Sequence, residues 1–404
     1  MQDVSLALLL AAVIIIIGSL GSILFRKTGI PDMIFLVLLG LLFGPVSGII
    51  LLKDIEPLAP YLAVLALIII LLDGGINLNL RQTIRQSPRA ILLATLGFIL
   101  SVAVIVFFAR LTLGFSWPEG LLLGSILGGS SSIVVVSLAQ KIGVSEGCST
   151  TLVIESAITD ILCTVAALTL LGAMVSGFPP VDALALAVGL RFLIGASLGV
   201  SLGFVWLGVL SRLRNEPYRY MLTLAVLFLG YLVSESLGGS GALSVLTFGM
   251  ILGSEAAIKS LLRRSESPLI CDESFRKLET EIAFLIKTFF FVYLGLMVSF
   301  TNILLAFYGL LLSLLLLFTH YVAVGAATLR SSLGREKAMM SVIYSRGLAA
   351  AVLAVLPQQY GIPNSSAYVP ITLAVILVTA IIATIGAYHF SPKRQSPQTR
   401  PSKS

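Results

Sequence analysis

The chemistry in this chain concentrates in one short stretch, Glu155-Ser156-Ala157-Ile158-Thr159-Asp160, which lies inside a long apolar run with Asp160 near its middle. Ser156 and Asp160 are one helical turn apart and share a face, at about 3.6 residues per turn. A carboxylate and a hydroxyl aimed the same way suit a hard monovalent cation or a proton. Glu155 points well away from that face, so the two acids have different roles. Asp73 is a second acid in an apolar run, and Glu281 stands at the boundary of another. A charge at the centre of a bilayer costs roughly 3 kcal/mol or more on insertion scales, so it marks a site unless it belongs to a structural pair or snorkels.

That reasoning requires lipid around these residues, and composition supplies it. The 404 residues are 57% hydrophobic and 11% charged, which excludes a water-soluble globule. Apolar stretches of about 20 residues, the length that crosses roughly 30 Å of hydrocarbon, recur along the chain. Thirteen are expected, near 4–25, 30–52, 58–78, 90–113, 117–140, 147–175, 181–210, 219–236, 239–256, 280–299, 303–328, 338–357 and 368–390. Only Met-Gln-Asp precedes the first, without a basic flank or a small-residue cleavage site, so it reads as a retained helix. Cys148, Cys163 and Cys271 suggest no disulfide framework or metal cluster and read as small apolar fillers.

The net charge of +7 is explained by loops rather than by nucleic acid. Twenty-one of the 26 lysines and arginines fall in alternate connections and the tail, whereas the remaining connections hold only Lys53. The positive-inside rule places the basic set in the cytoplasm, the N-terminus outside and residues 391–404 inside as a cytoplasmic tail. An inner (cell) membrane location follows, with residues 1–390 as the membrane domain. No stretch is polar enough for a soluble catalytic domain. The longest polar segment, about Lys259 to Thr280, is compatible with a short surface helix.

If the seventh span, 181–210, links two six-helix halves, about 4–175 and 219–390, the halves enter the membrane from opposite faces as inverted repeats. Corresponding helices should then share breaks. Gly128-Gly129-Ser130-Ser131-Ser132 interrupts the fifth span and Ser345-Arg346-Gly347 the twelfth. Both are poor helix interiors, because glycine costs backbone entropy and serine competes for backbone hydrogen bonds. Either cluster alone also fits a close helix contact; two in related helices favour broken helices that cross near the midplane.

On these residues the chain resembles the NhaP-type sodium/proton antiporters, the electroneutral branch of the monovalent cation/proton antiporters, whose signature is Glu-Ser-x-x-Asn-Asp. The thirteen spans, the two broken helices, Asp73 and Arg346-Gly347 fit the same plan. The resemblance implies that Asp160 carries the cation or the proton, with Ser156 as ligand and Ser130, Thr159 and Asp73 beside the ion. It also implies that Glu155 and Arg346 form a supporting ion pair, and that the chain is a homodimer whose core rocks against a second bundle. Thr159 stands where the family has Asn, and Ser131 where many members have Asp. Lys287 is deep enough to pair with Asp73 or Asp160 and also long enough to snorkel. Arg191, in the linker span, reads as packing or dimer interface, and the sequence gives His320 no partner.

Burial disfavours an uncompensated carboxylate, so proton and cation compete for Asp160 while the empty, charged state crosses poorly. The expectation is an antiporter rather than an enzyme, exchanging sodium or lithium for protons one for one. It needs no cofactor, and the transported sodium is its only metal. Potassium/proton exchange is the near alternative. An intramembrane aspartyl protease using Asp73 and Asp160 is disfavoured, because Asp73-Gly74-Gly75 replaces the Gly-x-Gly-Asp pattern that such proteases resemble.

Overall fold

The computed structural model describes residues 2–28, 31–50, 59–77, 87–131, 134–135, 138, 144–177, 181–213, 216–256, 258, 273–298 and 303–390. Cys271 and the tail at 391–404 fall outside them. Among the described residues there is no strand. The helices are α1 Gln2–Thr28, α2 Asp32–Leu41 with a π turn Leu42–Val46, α3 Ala59–Asn77, α4 Ser87–Thr112, α5 Trp117–Leu127, α6 Glu146–Ser176 and α7 Val181–Arg212. They continue as α8 Arg219–Ser236, α9 Gly241–Gly253, α10 Glu273–Leu296, α11 Ile303–Ala327, α12 Lys337–Val342, α13 Leu348–Gln359 and α14 Tyr368–Phe390. Six of them, α1, α4, α6, α7, α11 and α14, contain windows long and apolar enough to cross a membrane; α2, α3, α9 and α13 are apolar but shorter.

Both expected breaks are present. Helix α5 stops at Leu127 and the chain is non-helical through Ser131, while residues 343–347 are non-helical between α12 and α13. The Ser131 N–H donates to the Ser345 carbonyl at 2.7 Å, so one interruption satisfies a backbone group freed by the other.

Helices α4, α5, α6 and α11 to α14 pack largely among themselves, as do α1 to α3 and α7 to α10; α3 also packs on α13. Close backbone approach sets the register in the second group. A Cβ at Gly40 would run into the Val292 carbonyl, and one at Gly295 into the Val37 carbonyl, locking α2 against α10. The same contact joins α3 to α9, where Gly75 meets the Leu246 carbonyl and Gly253 that of Ile76. Small residues permit this approach, and dispersion rather than the hydrophobic effect rewards it in lipid. Arg191 of α7 pairs with Glu235 of α8 at 3.1 Å, and Glu235 also accepts from the Gly241 N–H at 2.7 Å, tying α7 to the start of α9.

Candidate functional site

The break after α5 lies directly against α6. A Cβ at Gly129 would sit 2.9 Å from the Thr159 carbonyl oxygen and 2.7 Å from Cys163 Sγ, so only glycine fits without a shift. The next residue is held twice: the Ser130 N–H donates to Thr159 Oγ1 at 3.1 Å, and the Ser130 hydroxyl donates to Glu155 Oε2 at 2.8 Å. Thr159 in turn donates to the Ser156 carbonyl at 3.0 Å. Threonine at this position therefore pins the broken strand to α6, using its oxygen as acceptor and its hydrogen as donor.

Ser130, Glu155, Ser156 and Thr159 are all buried, Ser156 completely, whereas Asp160 is only half-buried. Asp160 lies within electrostatic reach of Glu155 and of the buried Cys163. The site is thus a packed polar seam with one carboxylate left partly open. The Ser156 hydroxyl is bonded back to the Val153 carbonyl at 3.0 Å, leaving its lone pairs for other donors or a cation.

The sequence expectation of a supporting Glu155–Arg346 ion pair changes in detail. Glu155 takes its short hydrogen bond from Ser130, and Arg346 has partners of its own. Its Nη2 donates to the Ser101 hydroxyl at 3.3 Å, its guanidinium lies 4.3 Å over the Tyr344 ring, and its backbone N–H donates to Thr379 at 3.0 Å. Arg346 is 1% exposed and attracts Glu155 through space rather than by direct contact. The reason is geometric: the Gly-Ser strand of the α5 break stands closer to the Glu155 carboxylate and supplies its donor.

Lys287 pairs with neither Asp160 nor Asp73. Its Nζ contacts Asp32 Oδ2 at 2.7 Å, because the glycine contacts that join α10 to α2 bring this lysine opposite the first turn of α2. Asp73 faces Glu279 of α10, with Tyr220 of α8 nearby. The acid buried on α10 is Glu279, 2% exposed, whereas Glu281, which the sequence singles out, is exposed. His320 also has a partner: Nδ1 lies 3.2 Å from the Ser341 carbonyl and the ring packs on Tyr344 at 4.6 Å.

Sequence reasoning missed Asp32, Ser101, Tyr344 and Glu279. Asp32 follows Pro31 at the start of an apolar run, where an acid reads as a helix-dipole residue rather than as the mate of a distant lysine. Serine and tyrosine within apolar runs carry no signal for a guanidinium partner. Cys148 and Cys163 are buried free thiols, in keeping with their expected filler role.

The profile of the transmembrane sodium/hydrogen exchanger family matches residues 9–389. The K(+)/H(+) antiporter NhaP2 of Shewanella sp. (strain ANA-3) is 28% identical over 382 residues, covering 93% of this chain and 64% of NhaP2, so the chain spans just under two thirds of that relative. The Na(+)/H(+) antiporter ApNhaP of Aphanothece halophytica is 31% identical over 186 residues, 46% of this chain. The structure of the sodium proton antiporter MjNhaP1 from Methanocaldococcus jannaschii superimposes with a TM-score of 0.79 at 21% identity, covering 97% of this chain and 99% of that one, a likeness of fold. A profile match across nearly the whole chain, which takes in both helix breaks and the half-buried Asp160 beside them, establishes that this protein belongs to the sodium/hydrogen exchanger family.

Proposed function

We propose that this protein exchanges a monovalent cation for a proton across the cell membrane, with Asp160 as the group that both compete for. The observation that carries the reading is the half-buried Asp160 in an otherwise buried seam, next to two helix breaks joined by the Ser131 N–H to Ser345 carbonyl bond. The broken segments offer carbonyls and half-helix ends to an ion, as secondary transporters use them. Ser156 and Asp160 are the proposed ligands. Thr159 and Ser130 hold the break in place, Glu155 fixes Ser130, and Arg346 balances the buried negative charge. Asp73, grouped with Glu279, belongs to the approach rather than to the cage in this reading.

Thirteen spans in two inverted repeats about α7, with the N-terminus outside, complete the proposal. Packing supports it: α2 of the first half lies on α10 of the second, and their counterparts, α9 seven helices on and α3 seven helices back, pack on each other in the same glycine-mediated way. A homodimer is proposed from the resemblance alone.

Sodium is the proposed cation, from the Glu-Ser-x-x-x-Asp signature. Potassium is the second reading, favoured because the relatives that match across 93% of the chain are named K(+)/H(+) antiporters. The test is dequenching of a pH dye in proteoliposomes on adding sodium, lithium or potassium. Dequenching by sodium or lithium but not potassium supports the first reading, and the reverse order supports the second. No response to any of the three would refute antiport.

A further inference from the structure

The contact between Lys287 and Asp32 is not part of the seam around Asp160, yet it opens toward it. A small cavity is lined on one side by Phe25, Pro31, Asp32 and Lys287, and on the other by Ser131 and Leu348. Ser131 is the residue whose N–H joins the two breaks, and it directly follows Ser130, which is bonded to Glu155 and Thr159. Leu348 opens α13 immediately after the second break. A charged pair therefore faces the broken strands across a gap.

The pair's position is fixed by backbone. Asp32 and Gly40 are eight residues apart, as are Lys287 and Gly295, so the salt bridge and the Gly40–Gly295 contact share one register of two parallel helices. Two turns, about 12 Å, separate these contacts. Asp32 is also in the first turn of α2, where the helix dipole favours a carboxylate. The side chains are 9% and 18% exposed, shielded from bulk water but not sealed.

An alkali cation and a lysine ammonium have the same charge and seek the same oxygen. At Asp32 the ammonium occupies the place that a dehydrating cation would take. While the pair is closed the opening is neutral; with Lys287 alone it would repel cations, and with Asp32 alone it would concentrate them. We propose that Asp32 is a cation-binding residue at the cytoplasmic end of the route to Asp160, and that Lys287 is a tethered counter-ion which the arriving cation displaces. This rests on the antiport reading and adds a competition step to it. A salt bridge that only ties α2 to α10 would affect folding and leave cation affinity alone.

The experiment measures the apparent KM for the transported alkali cation in proteoliposomes, with the full chain, at low ionic strength and again with added choline chloride. Lys287→Gln should lower KM and Asp32→Asn should raise it, each by about three- to tenfold at low ionic strength. The double variant should return to within about twofold of wild type, because it leaves neither charge unpaired. Choline chloride should shrink the differences, since screening weakens partly exposed charges. Lys287→Arg keeps the charge and folds under the same constraints, but grips a carboxylate with two N–H groups, so it should raise KM. KM values for all variants within twofold of wild type, shifts of the same sign for the two single neutralisations, or an unchanged KM in Lys287→Arg would overturn the proposal. A wild type that moves no protons with any alkali cation would instead overturn antiport itself.

Discussion

Gly129→Ala tests whether the contact between the α5 break and α6 positions the site. The added Cβ would stand 2.9 Å from the Thr159 carbonyl oxygen and 2.7 Å from Cys163 Sγ, where ordinary contact begins at 3.4 Å. Cys163 can turn part of the way aside, but the Thr159 oxygen is backbone. The broken strand must therefore retreat by about 0.5 Å, and overpacking of this kind costs about 1–3 kcal/mol. The same retreat stretches the Ser130 N–H to Thr159 Oγ1 bond from 3.1 Å to roughly 3.6 Å, beyond hydrogen-bond range. A buried N–H left without a partner costs about 1–3 kcal/mol more. Because 1.4 kcal/mol is a factor of ten, cation-driven proton flux in proteoliposomes should fall by about tenfold or more, and the thermal midpoint of the detergent-solubilised protein should drop. Adding Cys163→Ala removes the sulfur clash but not the carbonyl clash, so rescue should be partial. A Gly129→Ala variant that melts and transports like wild type would refute the reasoning, as would complete rescue by Cys163→Ala.

Asp160→Asn keeps the volume but neither binds a proton nor neutralises a cation, so it should abolish cation-driven pH change with melting unchanged; sodium-dependent flux at wild-type rate would disprove the assignment. Glu235→Ala should lower the thermal midpoint more than Arg191→Ala, by about 1 kcal/mol in stability, because Glu235 also accepts from the Gly241 N–H at the start of α9 while the ion pair itself is a third exposed. Equal midpoints would show that the cap contributes nothing. Exchange should be electroneutral: Thr159 carries no titrating proton at neutral pH and Lys287 is engaged with Asp32 rather than with Asp160. The check is a potassium gradient with valinomycin, using sodium as substrate; exchange strongly accelerated by the imposed potential would contradict one-for-one transport.

Three things about this protein were written locally. An 11% charged chain has to fold in lipid, and that makes Asp160 conspicuous without knowledge of any neighbour. Gly128-Gly129-Ser130-Ser131 and Ser345-Arg346-Gly347 break their helices because backbone entropy and serine hydrogen bonding act within a few residues, so both interruptions could be placed from the sequence. The one-turn spacing of Ser156 and Asp160 follows from helix geometry. Partner choice was decided elsewhere. Lys287 met Asp32 across 255 residues, Arg346 met Ser101 across 245, and Glu155 took its donor from Ser130 across 25. Helical periodicity states which face a side chain occupies but not which helix lies opposite, and in this fold that is set by glycine contacts such as Gly40 with Gly295, whose register depends on backbones meeting at less than a side chain's width.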